Sequence, residues 1–202
     1  MKYFRLTLVL LIAIVILGAA VFMTREIKTG KIGLDQGVVP EDAEKLEQIN
    51  NQTEKQMTIS SSAFNNNSNI PAKYTCDGEN INPPLQFDNV PESAHSLVLI
   101  VDDPDAASGT WVHWTVWNID PKIKEIKGKS VPAGSVQGAT SSGSFGYGGP
   151  CPPTGIHRYF FKLYALDAKI DLSSDAKVGD LMRTINGLII DEAELIGLYS
   201  RQ

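Results

Sequence analysis

The stretch that most constrains the fold of this chain is residues 143–166, GSFGYGGPCPPTGIHRYFFKLYAL. Its first half contains Gly, Pro and small polar residues, which favour a loop that needs no core of its own. Its second half alternates with a period of two from Ile156 onward, which is typical of a β-strand. One face of that strand holds His157, Tyr159, Phe161, Leu163 and Ala165. We therefore expect a stiff loop to deliver a His and a Tyr to the mouth of a strand, as one wall of a pocket.

The charge and the length of the chain limit its class. It has 202 residues, with 18 Lys and Arg against 23 Asp and Glu, so its formal net charge is −5. A protein that binds nucleic acid usually presents a strongly basic surface, and this composition disfavours such a partner. Once the N-terminal segment is set aside, the length suits one domain with a sizeable hydrophobic core.

The N-terminal segment is strongly apolar. Residues 6–23 contain no charge and one polar residue, Thr7, and they follow Lys2 and Arg5. About 18 apolar residues suffice for a transmembrane helix, whereas a cleaved signal peptide usually has an apolar region of about 7–15 residues. Residues 1–23 are therefore predicted to be a membrane anchor or a signal peptide. Either alternative places the remainder outside the cytoplasm, membrane-anchored in the first case and secreted in the second.

The sequence changes character at residue 57. Residues 24–56 are too polar to build a core, which predicts a tether, and residues 57–202 are the predicted folded domain. Short apolar runs between turn residues predict an all-β sandwich or barrel with antiparallel sheets. Besides the strand that begins at Ile156, the predicted strands are residues 57–59, 85–87, 96–101, Trp111–Ile119 and 194–199.

One helix interrupts this β pattern. It is predicted over residues 175–186, with Ser173 or Ser174 as its N-cap. Its apolar residues recur at spacings of three and four, at Val178, Leu181, Met182 and Ile185. We expect this stripe to pack on a sheet, so the fold class is all-β with a minor helix.

Three polar segments accompany the predicted strands. The first is a turn after the apolar run SLVLIV, in which Asp103 and Asp105 flank a proline. The second is His113, within an apolar strand, and the third holds His157 and Tyr159. Each has a purely structural interpretation, as a turn or as a buried and satisfied core residue. Since strand ends gather at the rims of a sandwich, we expect the three segments to meet at one rim.

Together these groups suit a small anion. Imidazole and phenol groups, and the backbone N–H groups of a Gly-rich loop, are hydrogen-bond donors for a phosphate-like ligand. Aspartates would repel such a ligand unless they accept hydrogen bonds from the histidines, which fixes the imidazole tautomer. The sequence therefore predicts a binding site braced by Asp103 and Asp105, with His113, His157 and Tyr159 as donors.

Two kinds of chemistry compete with this interpretation. Two His and an Asp are an acceptable metal-ligand set, although no closely spaced His pair supports a metal site. Ser141, Ser142 and Ser144 lie near the loop, but no G-x-S-x-G motif surrounds them. Cys151 has no helix N-terminus to lower its pKa. We therefore expect no enzyme and assign no catalytic residue, metal ligand or cofactor.

Cys76 and Cys151 are the two cysteines of the chain, and both lie in predicted loops. An exported domain favours a disulfide between them, and the alternative is two unpaired thiols. A bridge would join the loop YTCDG to the loop GPCPP, beside the predicted pocket.

Several motifs in order resemble one known family. DDPDA, then WVHW, then GYGGPCPP followed by HRYFFKLYALD, are similar to the phosphatidylethanolamine-binding protein family. YTCDGENINPPL and AELIGLYSR are typical of its prokaryotic branch, the Raf kinase inhibitor-like proteins, so the resemblance covers residues 57–201.

The resemblance implies a sandwich of two antiparallel sheets with a small pocket at one end. It implies a small anionic ligand there, phosphate-like or a phospholipid headgroup, and some relatives regulate a kinase or a protease by protein contact. The family's pocket residues correspond to Asp103, Asp105, His113, Pro150, His157 and Tyr159. The expected function is therefore anion or headgroup binding at or outside the membrane, with inhibition of a kinase or protease, or less favourably hydrolysis, as the alternatives.

Overall fold

The computed structural model describes residues 55–201. Short β-strands dominate this part of the chain, with one α-helix between the last two strands. In chain order the elements are β1 (Thr58–Ser60), β2 (Ser68–Asn69), β3 (Leu85–Asp88), β4 (Ser96–Asp103), β5 (Trp111–Ile119), β6 (Glu125–Ile126), β7 (Val136–Gln137), β8 (His157–Leu166), α1 (Val178–Ile185) and β9 (Ile189–Tyr199).

The strands form two sheets. The larger has the order β2-β9-β8-β4-β5-β7, and the smaller has the order β1-β3-β6. The prediction of purely antiparallel sheets is wrong at one edge, because β2 runs parallel to β9, with Ser68 opposite Gly197. Strand β2 has two residues and is fixed by backbone bonds to β9 on either side of it, so no hydrophobic pattern marks it.

Alternation along the strands builds the core between the two sheets. The five residues predicted to share a face of β8 are all buried in the structure. The core joins residues of the small sheet, such as Ile59 and Phe87, to residues of the large sheet, such as Leu99 and Phe161. The predicted all-β class with two sheets and a short helix is therefore confirmed.

Strand β4 is the centre of the larger sheet. All eight of its residues are buried, and it pairs with β5 on one side and β8 on the other. It continues to Asp103, two residues beyond the prediction, and β9 begins at Ile189, five residues before the predicted start. Because the sheet alternates, Val101 and Asp103 point to the inner face while Asp102 points outward, where it accepts from Lys162 Nζ at 2.7 Å.

Helix α1 packs on the outer face of the larger sheet. Leu181 and Ile185 are buried against Val98 and Ile100 of β4, as the apolar stripe predicted, but Met182 is 38% exposed. The predicted start at residue 175 and the serine caps are wrong, because residues 173–176 close a separate turn. The helix instead begins after Lys177, whose backbone N–H donates to the Asp180 carboxylate at 3.2 Å.

Two predictions fall largely outside the described residues. These are the anchor or signal peptide at residues 1–23 and the tether at residues 24–56. Within residues 55–201, no helix has the length and apolar character needed to cross a membrane.

Candidate functional site

A pocket of about 460 Å³ opens at one end of the larger sheet. Strand β4 ends there, and β5 and β8 begin there, because β4 is antiparallel to both, with Asp103 opposite Trp111 and Asp102 opposite Phe160. Two loops complete its walls. It is lined by Cys76, Asn80, Asp103, Ala106, Ala107, Ser108, Trp111, Val112, His113, Thr140, Ser142, Gly148, Gly149, Cys151, Pro152, Pro153, His157 and Tyr159. The three predicted polar segments therefore meet at one rim, through Asp103, His113, His157 and Tyr159.

His157 and Asp103 form a buried pair in the pocket. The Nδ1 of His157 lies 2.7 Å from Oδ2 of Asp103, and their side chains are 11% and 4% exposed. The other carboxylate oxygen of Asp103 accepts from the backbone N–H of Asp105 at 2.8 Å. Since the carboxylate accepts, Nδ1 carries a proton, and Nε2 is the ring nitrogen available to a ligand.

His113 is held by the glycine-rich loop. Its Nδ1 donates to the carbonyl oxygen of Gly148 at 2.6 Å, and the N–H of Gly148 donates back to the carbonyl oxygen of His113 at 2.9 Å. Burial lowers the pKa of His113, against the smaller opposing effects of its bond to Gly148 and of the Asp103 charge. His113 is therefore a neutral imidazole with a fixed tautomer.

Tyr159 carries a buried hydroxyl group with no protein partner among residues 55–201. Its ring is fully buried and meets the ring of His113 edge to face, with centroids 5.2 Å apart. Burial raises the pKa of Tyr159, and the nearby negative charge of Asp103 raises it further. The hydroxyl therefore stays protonated and can donate a hydrogen bond into the pocket, and an unsatisfied buried group of this kind points to a ligand or an ordered water.

Asp105, which is predicted to brace the site, does not itself line the pocket. Its carboxylate receives Nε and Nη2 of Arg158 at 2.9 and 2.7 Å, on the outer side of the turn. This hydrogen-bonded ion pair lowers the pKa of Asp105 to about 2. Pro104 reverses the chain between the two aspartates, so Asp103 alone turns inward. Asp105 braces the site through its backbone N–H, which donates to Asp103, and through its carboxylate, which accepts from the backbone N–H of Arg158 at 3.0 Å.

The loop that carries Gly148 is fastened to the loop that carries Cys76. A disulfide joins Cys76 to Cys151, so the predicted bridge is present. The backbone N–H of Cys76 donates to the carbonyl oxygen of Pro150 at 3.1 Å. Pro150 itself is buried and is not among the residues that line the pocket.

Gly149 allows the two loops to approach. A Cβ atom there would lie 2.6 Å from the carbonyl oxygen of Tyr74 and 2.7 Å from Oδ1 of Asn80. The N–H of Gly149 donates to that Oδ1 at 2.7 Å. The loop amides of Gly148 and Gly149 are thus used inside the protein, so the predicted donation of these N–H groups to a ligand does not fit the geometry.

The family model for phosphatidylethanolamine-binding proteins matches residues 60–200. The chain belongs to this family. A UPF0098 protein of Methanothermobacter thermautotrophicus is 51% identical over 150 residues, which cover 72% of this chain and 99% of that protein. A UPF0098 protein of Pyrococcus horikoshii is 44% identical over 158 residues, or 74% of this chain and 80% of that protein.

Solved structures of the family share the fold. A phosphatidylethanolamine-binding protein homologue from Chlamydia trachomatis is 40% identical, with a TM-score of 0.71, and the match covers 73% of this chain and 99% of that one. YbcL of Escherichia coli, described as a member of the mammalian family, is 30% identical, with a TM-score of 0.69 and the same coverage.

Sequence reasoning missed several polar residues of this family member's pocket. Asn80 lines it from a left-handed backbone conformation at φ 54°, and the sequence signal was a turn-rich segment without a strand pattern. The hydroxyl groups of Thr140 and Ser142 lie 2.8 Å apart at the rim. Trp111 could have been found, because it shares a strand face with His113.

Residues 55–201 give no support to the alternative interpretation of the pocket as a metal site. No three His, Cys, Asp or Glu side chains are grouped there in an arrangement that could hold a metal ion. Both pocket histidines direct Nδ1 toward protein oxygens rather than toward the cavity.

Proposed function

We propose that this domain binds a small oxyanion in the pocket, either free and phosphate-like or as the headgroup of a phospholipid. The observation that carries the proposal is the unpartnered hydroxyl of Tyr159, buried beside two imidazoles whose Nδ1 atoms are already bonded to protein. All three side chains line one cavity. Membership in the phosphatidylethanolamine-binding protein family supports a ligand of this class.

Each pocket residue has a distinct part in this proposal. Tyr159 donates its O–H to an oxygen of the anion. Asp103 orients His157 so that Nε2 faces the ligand, and in its doubly protonated form His157 donates from that atom. Trp111 is 37% exposed at the rim, where it gives the entrance an apolar side for the organic part of a headgroup or ester.

A binding function is favoured over catalysis by the state of the candidate nucleophiles. The Cys151 sulfur is bonded to Cys76 and offers no thiolate. The Oγ atom of Ser141 accepts from the backbone N–H of Val112 at 2.8 Å, with no imidazole bonded to it. Neither residue has the adjacent base that activates a nucleophile.

We further propose that the domain works outside the cytoplasm, held at the membrane by residues 1–23 or released if that segment is cleaved. The disulfide supports this localisation, because such bonds persist in oxidising compartments and are rare in the cytosol of most organisms. A headgroup ligand would then be within reach of a tethered domain.

Titration calorimetry with inorganic phosphate and with phosphoethanolamine tests the proposal. Tyr159→Phe should weaken binding about tenfold, since it removes one hydrogen bond to a charged ligand. Tyr164→Phe is the matched control, because Tyr164 lies on the opposite face of β8 and outside the pocket. His157→Ala should weaken binding further, whereas His95→Ala, at an exposed residue outside the pocket, should not. Unchanged affinity in Tyr159→Phe and His157→Ala would show that the anion binds elsewhere.

A further inference from the structure

His113 presents a hydrogen-bond acceptor to the pocket. A carbonyl oxygen can only accept, so the 2.6 Å contact with Gly148 requires the proton to be on Nδ1. In the neutral ring Nε2 then has a lone pair and no hydrogen. No described residue donates to that nitrogen, and His113 as a whole is 7% exposed.

The surroundings of His113 keep it neutral. The negative charges of Asp103 and, from the other face of β4, of Asp102 act on it, and the side chains of His157 and Tyr159 of β8 line the same pocket. Burial outweighs the two carboxylates, so the pKa of His113 lies below its usual value. At neutral pH the imidazole therefore accepts a hydrogen bond and does not donate one from Nε2.

The rest of the pocket contains little positive charge. The lining residues of the described domain include no Lys and no Arg, and the Asp103 carboxylate lies among them. Arg158 is turned away to Asp105, and Lys162 is turned away to Asp102. An anion without hydrogen would therefore place its oxygens against the lone pair of His113 and near a carboxylate, with no Lys or Arg side chain in the pocket to offset either.

We infer that the ligand is an oxyacid that keeps a proton, such as hydrogen phosphate or the monoanion of a phosphate monoester, and that it donates this proton in a hydrogen bond to Nε2 of His113. This rests on the proposed oxyanion site. The same ligand accepts from the Tyr159 hydroxyl, so His113 and Tyr159 together offer one acceptor and one donor to a group that carries both. Sulfate esters and sulfonates have the shape of such a ligand but no acidic hydrogen, and the pocket discriminates against them.

Methyl phosphate and methyl sulfate test the role of this hydrogen. The two esters have nearly the same size, but only methyl phosphate carries an acidic O–H group. At about pH 6, near the second pKa of phosphate monoesters, much of the methyl phosphate is a monoanion like methyl sulfate. Calorimetry should give at least about a tenfold higher affinity for methyl phosphate, the effect of one hydrogen bond to a charged partner. Its affinity should fall as the pH rises above about 7, because the ligand loses the proton that His113 accepts.

Two variants separate the acceptor from the rest of the site. His113→Asn keeps an amide hydrogen for the carbonyl oxygen of Gly148 but has no atom at Nε2, so it should lose the preference for methyl phosphate. His157→Asn keeps a donor for Asp103 and should weaken both esters while the preference persists. The ¹⁵N shift of Nε2 in His113 should remain that of an unprotonated nitrogen when methyl phosphate binds to the unaltered protein, a measurement that needs no variant.

The outcomes are distinguishable. Equal affinity for the two esters, or a shift of Nε2 to its protonated value on binding, overturns the acceptor role of His113 and leaves the oxyanion site standing. A preference that persists in a folded His113→Asn variant overturns it as well. If neither ester nor inorganic phosphate binds, the proposed function itself is wrong and this inference falls with it.

Discussion

Cys76 and Cys151 are bonded across a sequence separation of 75 residues, and both line the pocket. The bond therefore closes a large part of the domain while fixing the two loops that meet at the site. Gly148, which holds His113 through its carbonyl oxygen, lies three residues before Cys151. The stability of the fold and the geometry of the pocket consequently depend on the same covalent link.

Replacing both cysteines by serine should lower the free energy of unfolding by about 2–4 kcal/mol, because the unfolded chain regains the freedom of an open loop. Urea titration of the two proteins gives this difference. The backbone bonds between the loops remain, so the double variant should fold and should bind phosphate more weakly. A reductant should reproduce both effects in the unaltered protein and change nothing in the variant. Equal urea midpoints would show that the bridge does not stabilise this domain.

The two aspartates of the DPD turn should differ in their contribution to stability. Asp103 is buried and accepts from His157 and from the Asp105 N–H, so Asp103→Ala should cost about 1–3 kcal/mol by leaving those donors unpaired. Asp105→Ala should cost less than about 1 kcal/mol, because its partner Arg158 is 53% exposed and water screens the pair. Chemical denaturation at neutral pH compares them. Equal losses would contradict the orientation of the turn.

Strand β8 and the DPD turn show which parts of the site could be predicted from the sequence. The alternation of β8 correctly predicted that His157 and Tyr159 lie on the buried face, because alternate residues of a strand point to the same side of the sheet. The same alternation, extended from SLVLIV, would have placed Asp103 inward with Val101. The position of Asp105 could not be predicted, because Pro104 ends the strand and its partner Arg158 is 53 residues away.

The remaining differences between the predictions and the structure share a physical cause. Strands β2, β6 and β7 have two residues each and exist because a neighbouring strand offers free backbone groups, not because of any local pattern. The donor roles predicted for the loop amides failed for a similar reason. Residue types show which groups can donate, but the fold decides which of those donors are already engaged within the protein.

Stability should depend on pH through His113. Its pKa is lower in the folded protein than the usual value of about 6.5, so the stability that neutral His113 contributes is complete above about pH 6.5 and is lost as the pH falls. The difference in unfolding free energy between the unaltered protein and His113→Asn should therefore shrink between about pH 7 and 5. Urea titrations across this range measure it. His95→Asn, at an exposed residue, should leave the pH dependence unchanged. A difference that is constant across the range would contradict the burial argument.

Gly149 should be the least replaceable glycine of the loop. A Cβ atom at this residue would meet Oδ1 of Asn80 and backbone atoms of Tyr74 and Thr75 at 2.8 Å or less, and the disulfide two residues later limits how far the loops can separate. Gly149→Ala should therefore destabilise the domain by about 1–3 kcal/mol, as overpacking does elsewhere. It should also weaken phosphate binding, because the adjacent Gly148 positions His113.

The matched control is Gly179→Ala in helix α1, where a Cβ atom meets nothing within 4 Å. That substitution should raise stability by about 0.5–1 kcal/mol through helix propensity and leave binding unchanged. If Gly149→Ala were as stable as the unaltered protein in urea and bound phosphate equally well, the close approach of the two loops would not be what shapes the pocket.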